Sequence, residues 1–253
     1  MKFAVIGSGN VAWHYCKMWI QNGHQCLFGY SRSADNFEKK MSDLHIPYLT
    51  LSEWDQAIDF VLLAVPDGEL PALSEKIPPH LPIIYPSGST DWEMMKPENK
   101  AVLWGIYSFI HHQEIDYTHI PYCWEASNEM MSNLVLQLMK PFEKQLTLTN
   151  QKQRTMAHMA AVFSNNFVSS LYQIAFDLLE HENLPPQLLI ATIQQLAEKL
   201  NTDSPTTLQT GPAKRNDLTT LHKHLDLLDD TTRKNIYRIL SNNILQRYGH
   251  SEL

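Results

Sequence analysis

The sequence predicts an α/β fold in two parts: a doubly wound, mostly parallel sheet over residues 1–150 and an all-α domain over residues 151–253. Three observations carry this. Residues 2–6, 59–67 and 81–85 are apolar, β-branched runs without polar alternation, as in strands covered on both faces. Segments with helical spacing separate them, which is the βαβ rhythm of a parallel sheet. From Gln151 onward no convincing strand remains, and apolar residues recur at helical spacing instead.

Residues 2–6 read as the first strand. They run into Gly7-Ser8-Gly9-Asn10-Val11-Ala12, a G-x-G-x-x-A turn, and then into a helix that stops at Gly23. Val11, Tyr15, Met18 and Trp19 share one face of that helix. Gly7 permits the tight turn, Gly9 lets a pyrophosphate approach the backbone, and Ala12 keeps the helix close to the sheet. The N–H groups at the helix start suit an anion. A strand before this turn and a helix after it are the context in which it marks a Rossmann dinucleotide site, with Gly7, Ser8, Gly9, Asn10 and Val11 as cofactor-binding candidates.

Residues 24–30 read as the second strand. Ser31-Arg32-Ser33 stands at its end, where an NAD site places an acid for the ribose hydroxyl. A guanidinium flanked by two hydroxyls suits a 2′-phosphate, so NADP is favoured over NAD; a solvated loop arginine is the alternative. A helix follows at 35–44. The strand at 59–67 is stopped by proline and sets Ala64, Val65 and Pro66 over the cofactor at the carboxyl edge. The strand at 81–85 leads to Ser87 and Gly88 in a small polar loop, either a contact to the nicotinamide end or a plain turn.

Residues 101–109 and 121–125 are two further strands, 128–142 a helix and 145–149 a last short strand. Met156, Ala160, Phe163, Phe167, Leu171, Ile174 and Leu178 then make one apolar stripe on a helix reaching Glu182. Pro185-Pro186 opens a helix through Leu200, and 202–209 is a short helix broken by Thr210-Gly211-Pro212. Residues 213–228 and 229–247 supply the last two. The long apolar helix needs more cover than its short neighbours give, so a homodimer through the helical domain is expected.

With 43% hydrophobic and 19% charged residues, the 253-residue chain has the composition of an ordinary globular protein. A net charge of −7 without a basic run argues against a nucleic-acid partner. No apolar stretch reaches the length of a membrane span, and no signal peptide fits the N-terminus. Cys16, Cys26 and Cys123 are widely spaced and read as reduced thiols of a cytoplasmic protein. His111, His112, Glu114, Asp116 and His119 read as a hydrophilic loop, so no metal is expected. Trp13, Trp19, Trp54, Trp92, Trp104 and Trp124 read as core or rim residues.

Three stretches carry a resemblance: Trp124-Glu125-Ala126-Ser127, residues 158–167 and residues 210–217. The chain resembles one branch of the superfamily that includes ketopantoate reductase, 3-hydroxyisobutyrate dehydrogenase and pyrroline-5-carboxylate reductase. That branch joins an NADP-type Rossmann domain to a C-terminal domain of unknown function, and its members are often labelled NADP oxidoreductases similar to deazaflavin-dependent enzymes. The resemblance covers essentially the whole chain and implies an architecture without an established substrate. In the superfamily's 3-hydroxyacid dehydrogenases, a lysine four residues before the second asparagine of a pair donates a proton. Val162 has that place here.

His158, one turn earlier, is the substitute candidate. Histidine is the side chain suited to proton transfer near neutral pH, and seven residues along an α-helix would point this one the same way as Asn165. A capping or core histidine is the alternative. Asn165 and Asn166 are unfavourable in a helix by propensity, so they read as amides that hold the carboxamide, orient substrate or satisfy buried backbone. Gly211 and Pro212 read as a turn whose N–H groups hold a substrate carboxylate, Arg215 as its bidentate partner, and Asp217 and His222 as a local pair. For Asp217 and His222, plain surface residues are the alternative. The function expected is NADP-dependent hydride transfer between nicotinamide and the carbonyl or imine of a small carboxylate-bearing substrate. Val162 keeps open a non-catalytic dinucleotide sensor, and deazaflavin is a further redox partner to consider.

Overall fold

The computed structural model describes residues 1–50 and 57–253, so Trp54 lies outside the described residues. Strands β1 (Lys2–Ile6), β2 (Gln25–Tyr30), β3 (Phe60–Leu63), β4 (Ile83–Tyr85), β5 (Lys100–Gly105), β6 (Tyr122–Ala126) and β7 (Leu146–Leu148) form a seven-stranded sheet of order β2-β1-β3-β4-β5-β6-β7. Every neighbouring pair is parallel except β5 and β6, which are antiparallel.

Side chains alternate across this sheet, so each apolar run serves two cores. Phe3, Val5, Phe60, Leu62, Ile84, Ala101 and Leu103 pack with Trp13, Tyr15 and Trp19 of α1 (Asn10–Gln21) and Phe37 of α2 (Ala34–Met41). Ile6, Val61, Leu63, Ile83, Tyr85 and Val102 face the other way, against Leu70 of α3 (Leu70–Ser74) and Ile77. Helix α4 (Glu129–Leu138) adds Met131, Val135 and Leu138 to the first core. Both layers are needed to bury these strands, which is why their sequences lack polar alternation.

Two strands are shorter than their apolar runs suggest. In β3 the last rung is the Ala64 N–H donating to the Ile6 carbonyl at 2.8 Å, and Pro66 has no N–H to continue it. Strand β5 ends at Gly105, not 109, because the chain then turns over the start of α1. The Asn10 side-chain amide donates to the Phe109 carbonyl there, at 3.0 Å.

Past the sheet, α5 (Gln151–Ala161) starts at a capping box made by Asn150 and Gln153. It continues through a π-helical turn, Val162–Asn166, into α6 (Phe167–His181). Then come α7 (Ile190–Lys199), α8 (Pro205–Leu208), α9 (Leu218–Leu227) and α10 (Thr231–Arg247). The helix expected from residue 213 begins at Leu218 instead. Gly211 (φ 99°) and Asn216 (φ 56°) are left-handed and hold 211–216 as turns, and Asp217 caps α9 by accepting from the Thr220 N–H at 3.1 Å.

The chain forms two compact units, residues 1–164 and 165–253. The division expected at 150 follows the end of the sheet. Helix α5 keeps with the first unit because the Gln151 side chain accepts from the Trp92 N–H at 2.9 Å and Arg154 pairs with Glu125 of β6. In the second unit the buried apolar cluster is Ala213, Leu221 and Leu245. The apolar stripe, which begins in the first unit, is largely uncovered: Phe163 there is 62% exposed, and Phe167 and Leu178 of the second unit are 49% and 42% exposed. Among the described residues no helix is long and apolar enough to cross a membrane.

Candidate functional site

The sheet order puts β1 between β2 and β3, and successive connections leave β1 in opposite directions. A crevice opens at the carboxyl ends of such strands. The turn after β1 is wedged into it. The Gly7 N–H donates to the Tyr30 carbonyl at the end of β2, at 2.8 Å. Gly7 has φ 123°, and a Cβ there would fall 2.0 Å from the Ala64 carbonyl oxygen, so no other residue fits the turn.

Gly9 precedes α1 with ordinary extended dihedrals (φ −79°, ψ 178°), and a Cβ added to it would meet nothing within 4 Å. The glycine leaves open space over the turn. Helix α1 has no side-chain cap and no acidic residue in its first turn, so its first N–H groups keep their donors for whatever enters. A diphosphate suits that space in both shape and charge. The cleft has a volume of about 1000 Å³ and is lined by Gly7, Ser8, Gly9, Asn10, Val11, Ala64, Val65 and Pro66, which the sequence had grouped together.

One end of the cleft is lined by Ser31, Arg32, Ser33, Asn36 and Lys40, with Glu69, Ala72, Leu73 and Lys76 across from them. The Ser33 hydroxyl caps α2 by accepting from the Asn36 N–H at 3.2 Å, and the Ser31 hydroxyl donates to the Ser33 carbonyl at 2.7 Å. The Arg32 guanidinium lies 3.1 Å from the Glu69 carboxylate. Sequence reasoning missed Asn36, Lys40, Glu69 and Lys76. The four-residue step from Asn36 to Lys40 along α2 was a readable sign that both share a face with Ser33.

Pro66, Asp67, Pro86 and Phe109 also line the cleft. Ser87 and Gly88 are not among them. The Ser87 hydroxyl is buried, donating to Thr90 Oγ1 at 2.7 Å and accepting from the Thr90 N–H at 2.9 Å. The Ser89 hydroxyl donates to Asp67 and joins the β3 and β4 loops. Gly88 is where α5 approaches: a Cβ there would lie 2.7 Å from His158 Cδ2 and 2.8 Å from Trp104 Cε2. The half-buried His158 ring, 5.5 Å from that of Trp104, therefore stands against the carboxyl-edge loop of β4.

One turn before His158, the fully buried Arg154 donates from Nη1 to Glu125 Oε2 at 2.5 Å. Its Nε and Nη2, and the Tyr85 hydroxyl, are buried without hydrogen-bond partners among the described residues. Burial, with Arg154 opposing it, pushes the Tyr85 hydroxyl well above its ordinary value.

Asn165 and Asn166 are exposed and lie within the π turn, so the seven-residue argument for a shared α-helical face with His158 does not apply. In the second unit, Gly211 and Pro212 form the turn described above, and Arg215 is exposed. The expected Asp217–His222 pair is replaced by the α9 cap: Asp217 accepts from the Thr220 hydroxyl at 2.7 Å, and these bonds hold its carboxyl below the usual range. His222 is exposed.

The loop over α1 carries a further feature. His14 of α1 is fully buried, with Nε2 2.7 Å from the Ile110 carbonyl and Nδ1 2.9 Å from the Tyr117 hydroxyl. The carbonyl only accepts, so Nε2 carries the hydrogen and Nδ1 accepts from Tyr117, which is the neutral ring. Burial lowers the pKa of this histidine. His111 donates to the Lys40 carbonyl at 2.9 Å, and the described residues contain no group of three metal-ligating side chains.

Residues 2–83 match the family model described as NADP oxidoreductase, coenzyme F420-dependent, and residues 120–244 match the domain of unknown function DUF2520. No curated protein matches the chain. Among solved structures, a Bacteroides fragilis protein described as a candidate NADP oxidoreductase has TM-score 0.85 and 26% identity, over 97% of this chain and 98% of that one. A Thermotoga maritima protein has TM-score 0.70 and 18% identity over the same shares. Pyrroline carboxylate reductase from Plasmodium falciparum, solved with NADP, has TM-score 0.60 and 13% identity over 98% and 97% of the two chains. The chain is thus similar over residues 2–83 to the coenzyme F420-dependent NADP oxidoreductases and over residues 120–244 to the DUF2520 domain.

Proposed function

We propose that this protein binds NADP in the cleft at the ends of β1, β2 and β3 and acts as an oxidoreductase on a small carboxylate-bearing carbonyl or imine compound. The observation that carries the reading is the uncapped start of α1 above Gly7 and Gly9, with Arg32 and Lys40 at one end of the same cleft. The matched N-terminal family and the Bacteroides fragilis relative support it. Bound NADP supplies or accepts a hydride. Backbone N–H groups of the first turn of α1 hold its diphosphate, and Arg32 takes the 2′-phosphate. Pro66, Pro86 and Phe109 add apolar lining to the cleft.

In the first unit His158 is the candidate to move the proton to or from the substrate's oxygen or nitrogen; in the second, Asn165 and Asn166 are candidates to orient reactants and Arg215 with the Gly211-Pro212 turn to receive a carboxylate. Calorimetric titration with NADPH and NADH tests the first step, with tight NADPH binding expected and sharp weakening in Arg32→Ala. A screen of keto acids and imines for NADPH oxidation tests the second, and full activity in both His158→Ala and Asn166→Ala would end these assignments. Val162, a side chain that transfers no proton, favours a second reading as a non-catalytic NADP sensor; binding without turnover of any acceptor would select it. The matched family's description makes a deazaflavin a candidate acceptor in the same screen.

The uncovered stripe of Phe167, Leu171 and Leu178 supports a homodimer through the helical region. Light scattering should give twice the chain mass of 29.2 kDa, and a monomer would refute this. The free state of Cys16, Cys26 and Cys123 fits a cytoplasmic protein.

A further inference from the structure

Three cations line the end of the cleft beyond the diphosphate site: Arg32, Lys40 and Lys76. Among the described residues, Arg32 alone of the three is in an ion pair, its Nη2 3.1 Å from Glu69 Oε1. The partners leave different strands. Arg32 follows β2 and Glu69 follows β3, so the bridge crosses the mouth of the cleft from one wall to the other. They also differ in freedom. Glu69 sits on a tight helical turn, its N–H donating to the Pro66 carbonyl at 2.8 Å, and its side chain is 32% exposed. The Arg32 side chain is 78% exposed, so it is the partner free to swing.

We propose that Glu69 is a specificity-determining residue: a resident counter-ion that holds Arg32 across the cleft until a ligand phosphate takes the guanidinium from it. The inference rests on the reading of this cleft as an NADP site. A 2′-phosphate competes with the carboxylate for the same planar fork of N–H donors, and as a dianion it is the stronger acceptor. NADH offers no such group, so it enters beside an intact bridge and gains nothing from Arg32. The exchange lowers NADPH affinity below what Arg32 alone would allow and keeps the guanidinium from holding unrelated anions. Lys40 and Lys76, which form no ion pair among the described residues, supply charge that does not depend on the exchange.

The test is a double-mutant cycle on the full chain, with dissociation constants for NADPH and NADH by calorimetry in wild type, Glu69→Gln, Arg32→Ala and the double variant. Both side chains are at the surface, and unchanged melting temperatures confirm folding. An exposed ion pair is worth about 0.2–1 kcal/mol, so relieving it should tighten NADPH binding about 1.5- to 5-fold. NADH binding should move less than about twofold. In the Arg32→Ala background the Glu69→Gln gain should vanish. The proposal is overturned if Glu69→Gln leaves NADPH affinity unchanged or weakens it, or if the gain persists without Arg32. Failure of the underlying reading looks different: wild type then binds neither nucleotide, or Arg32→Ala leaves NADPH binding intact, and this proposal falls with it.

Discussion

Gly7 and Gly9, two residues apart, should respond to alanine in opposite ways. Gly9 has dihedrals that alanine adopts freely and open space where its Cβ would stand. Gly9→Ala should therefore keep or slightly raise stability, by about 0.4–1 kcal/mol through the stiffer unfolded chain. The added methyl, however, fills the approach to the N–H groups of α1. If two charge-assisted bonds to a diphosphate are lost at about 1.5 kcal/mol each, NADPH affinity falls about 100-fold or more. Gly7→Ala is the reverse case. Its Cβ meets the Ala64 carbonyl at 2.0 Å, between strand ends that are both hydrogen-bonded, and φ is 123°. Left-handed strain of about 1–2 kcal/mol and overpacking of about 1–3 kcal/mol add to a stability loss near 2–5 kcal/mol. That corresponds to a fall of roughly 5–15 °C for a unit of this size. Scanning calorimetry and NADPH titration on both variants read the two effects separately. Wild-type NADPH affinity in Gly9→Ala would refute the reasoning, because the turn would then hold no diphosphate.

His14 is neutral in the fold and its pKa is lowered by burial, with Lys17 and His111 acting in the same direction and Glu114 opposing. Its contribution to stability is therefore complete above the unfolded value near 6.5 and is lost as pH falls through the lower folded value, so the melting temperature should drop on going from pH 7.5 to 5.5. His24 is shifted the same way, so the drop should shrink but persist in His14→Gln. Glu125→Gln should destabilise more than Arg154→Met, by about 3–5 against under about 2 kcal/mol in urea titrations. The first change strands a cation that is 0% exposed, whereas the second leaves a carboxylate that water reaches at 23% exposure. Gly88→Ala should cost about 1–3 kcal/mol of stability, because the His158 and Trp104 rings must both move, and should shift the His158 ring resonances in an NMR spectrum.

The order and type of the elements were legible because the signals are local. A strand buried on both faces has to be apolar throughout, and Phe3–Ile6 and Phe60–Leu63 are; their ends were harder to place. Strand β5 continues as an apolar sequence through Phe109, and what stops it is the distant α1, whose Asn10 and His14 take the next carbonyls. Nothing in residues 101–109 encodes that. The helix start at 213 was misread for a different reason. Asn216 in a left-handed conformation is a backbone choice settled by the following cap at Asp217, and asparagine tolerates that choice without demanding it.

The same distinction runs through the candidate site. Gly7 was readable because backbone geometry itself requires it, Gly9 because its place in the G-x-G-x-x-A turn is where a diphosphate approaches the backbone, and Arg32 because the end of β2 has a fixed place in the crevice. Glu69 and Lys76 reach the cleft from the connection between β3 and β4 and Phe109 from that between β5 and β6, and only the assembled sheet brings them together. His158 was readable as a titratable group on the long helix, but its setting was not. Arg154 and Gln151 fasten the turns of α5 before it to β6 and to the Trp92 segment, and the absence of a side chain at Gly88 makes the space its ring occupies. A histidine held this way has less freedom than one on a solvent-facing helix, and reduced freedom is what a proton donor needs if it is to act without first being ordered. The missing lysine at Val162 therefore does not by itself argue against chemistry at this edge of the sheet. The decisive contrast is between Arg154→Met, which leaves His158 present but loosens its helix, and His158→Ala, which removes it. If Arg154→Met lowers turnover while NADPH affinity holds, the positioning of His158 matters; if turnover is indifferent to both, the proton comes from elsewhere.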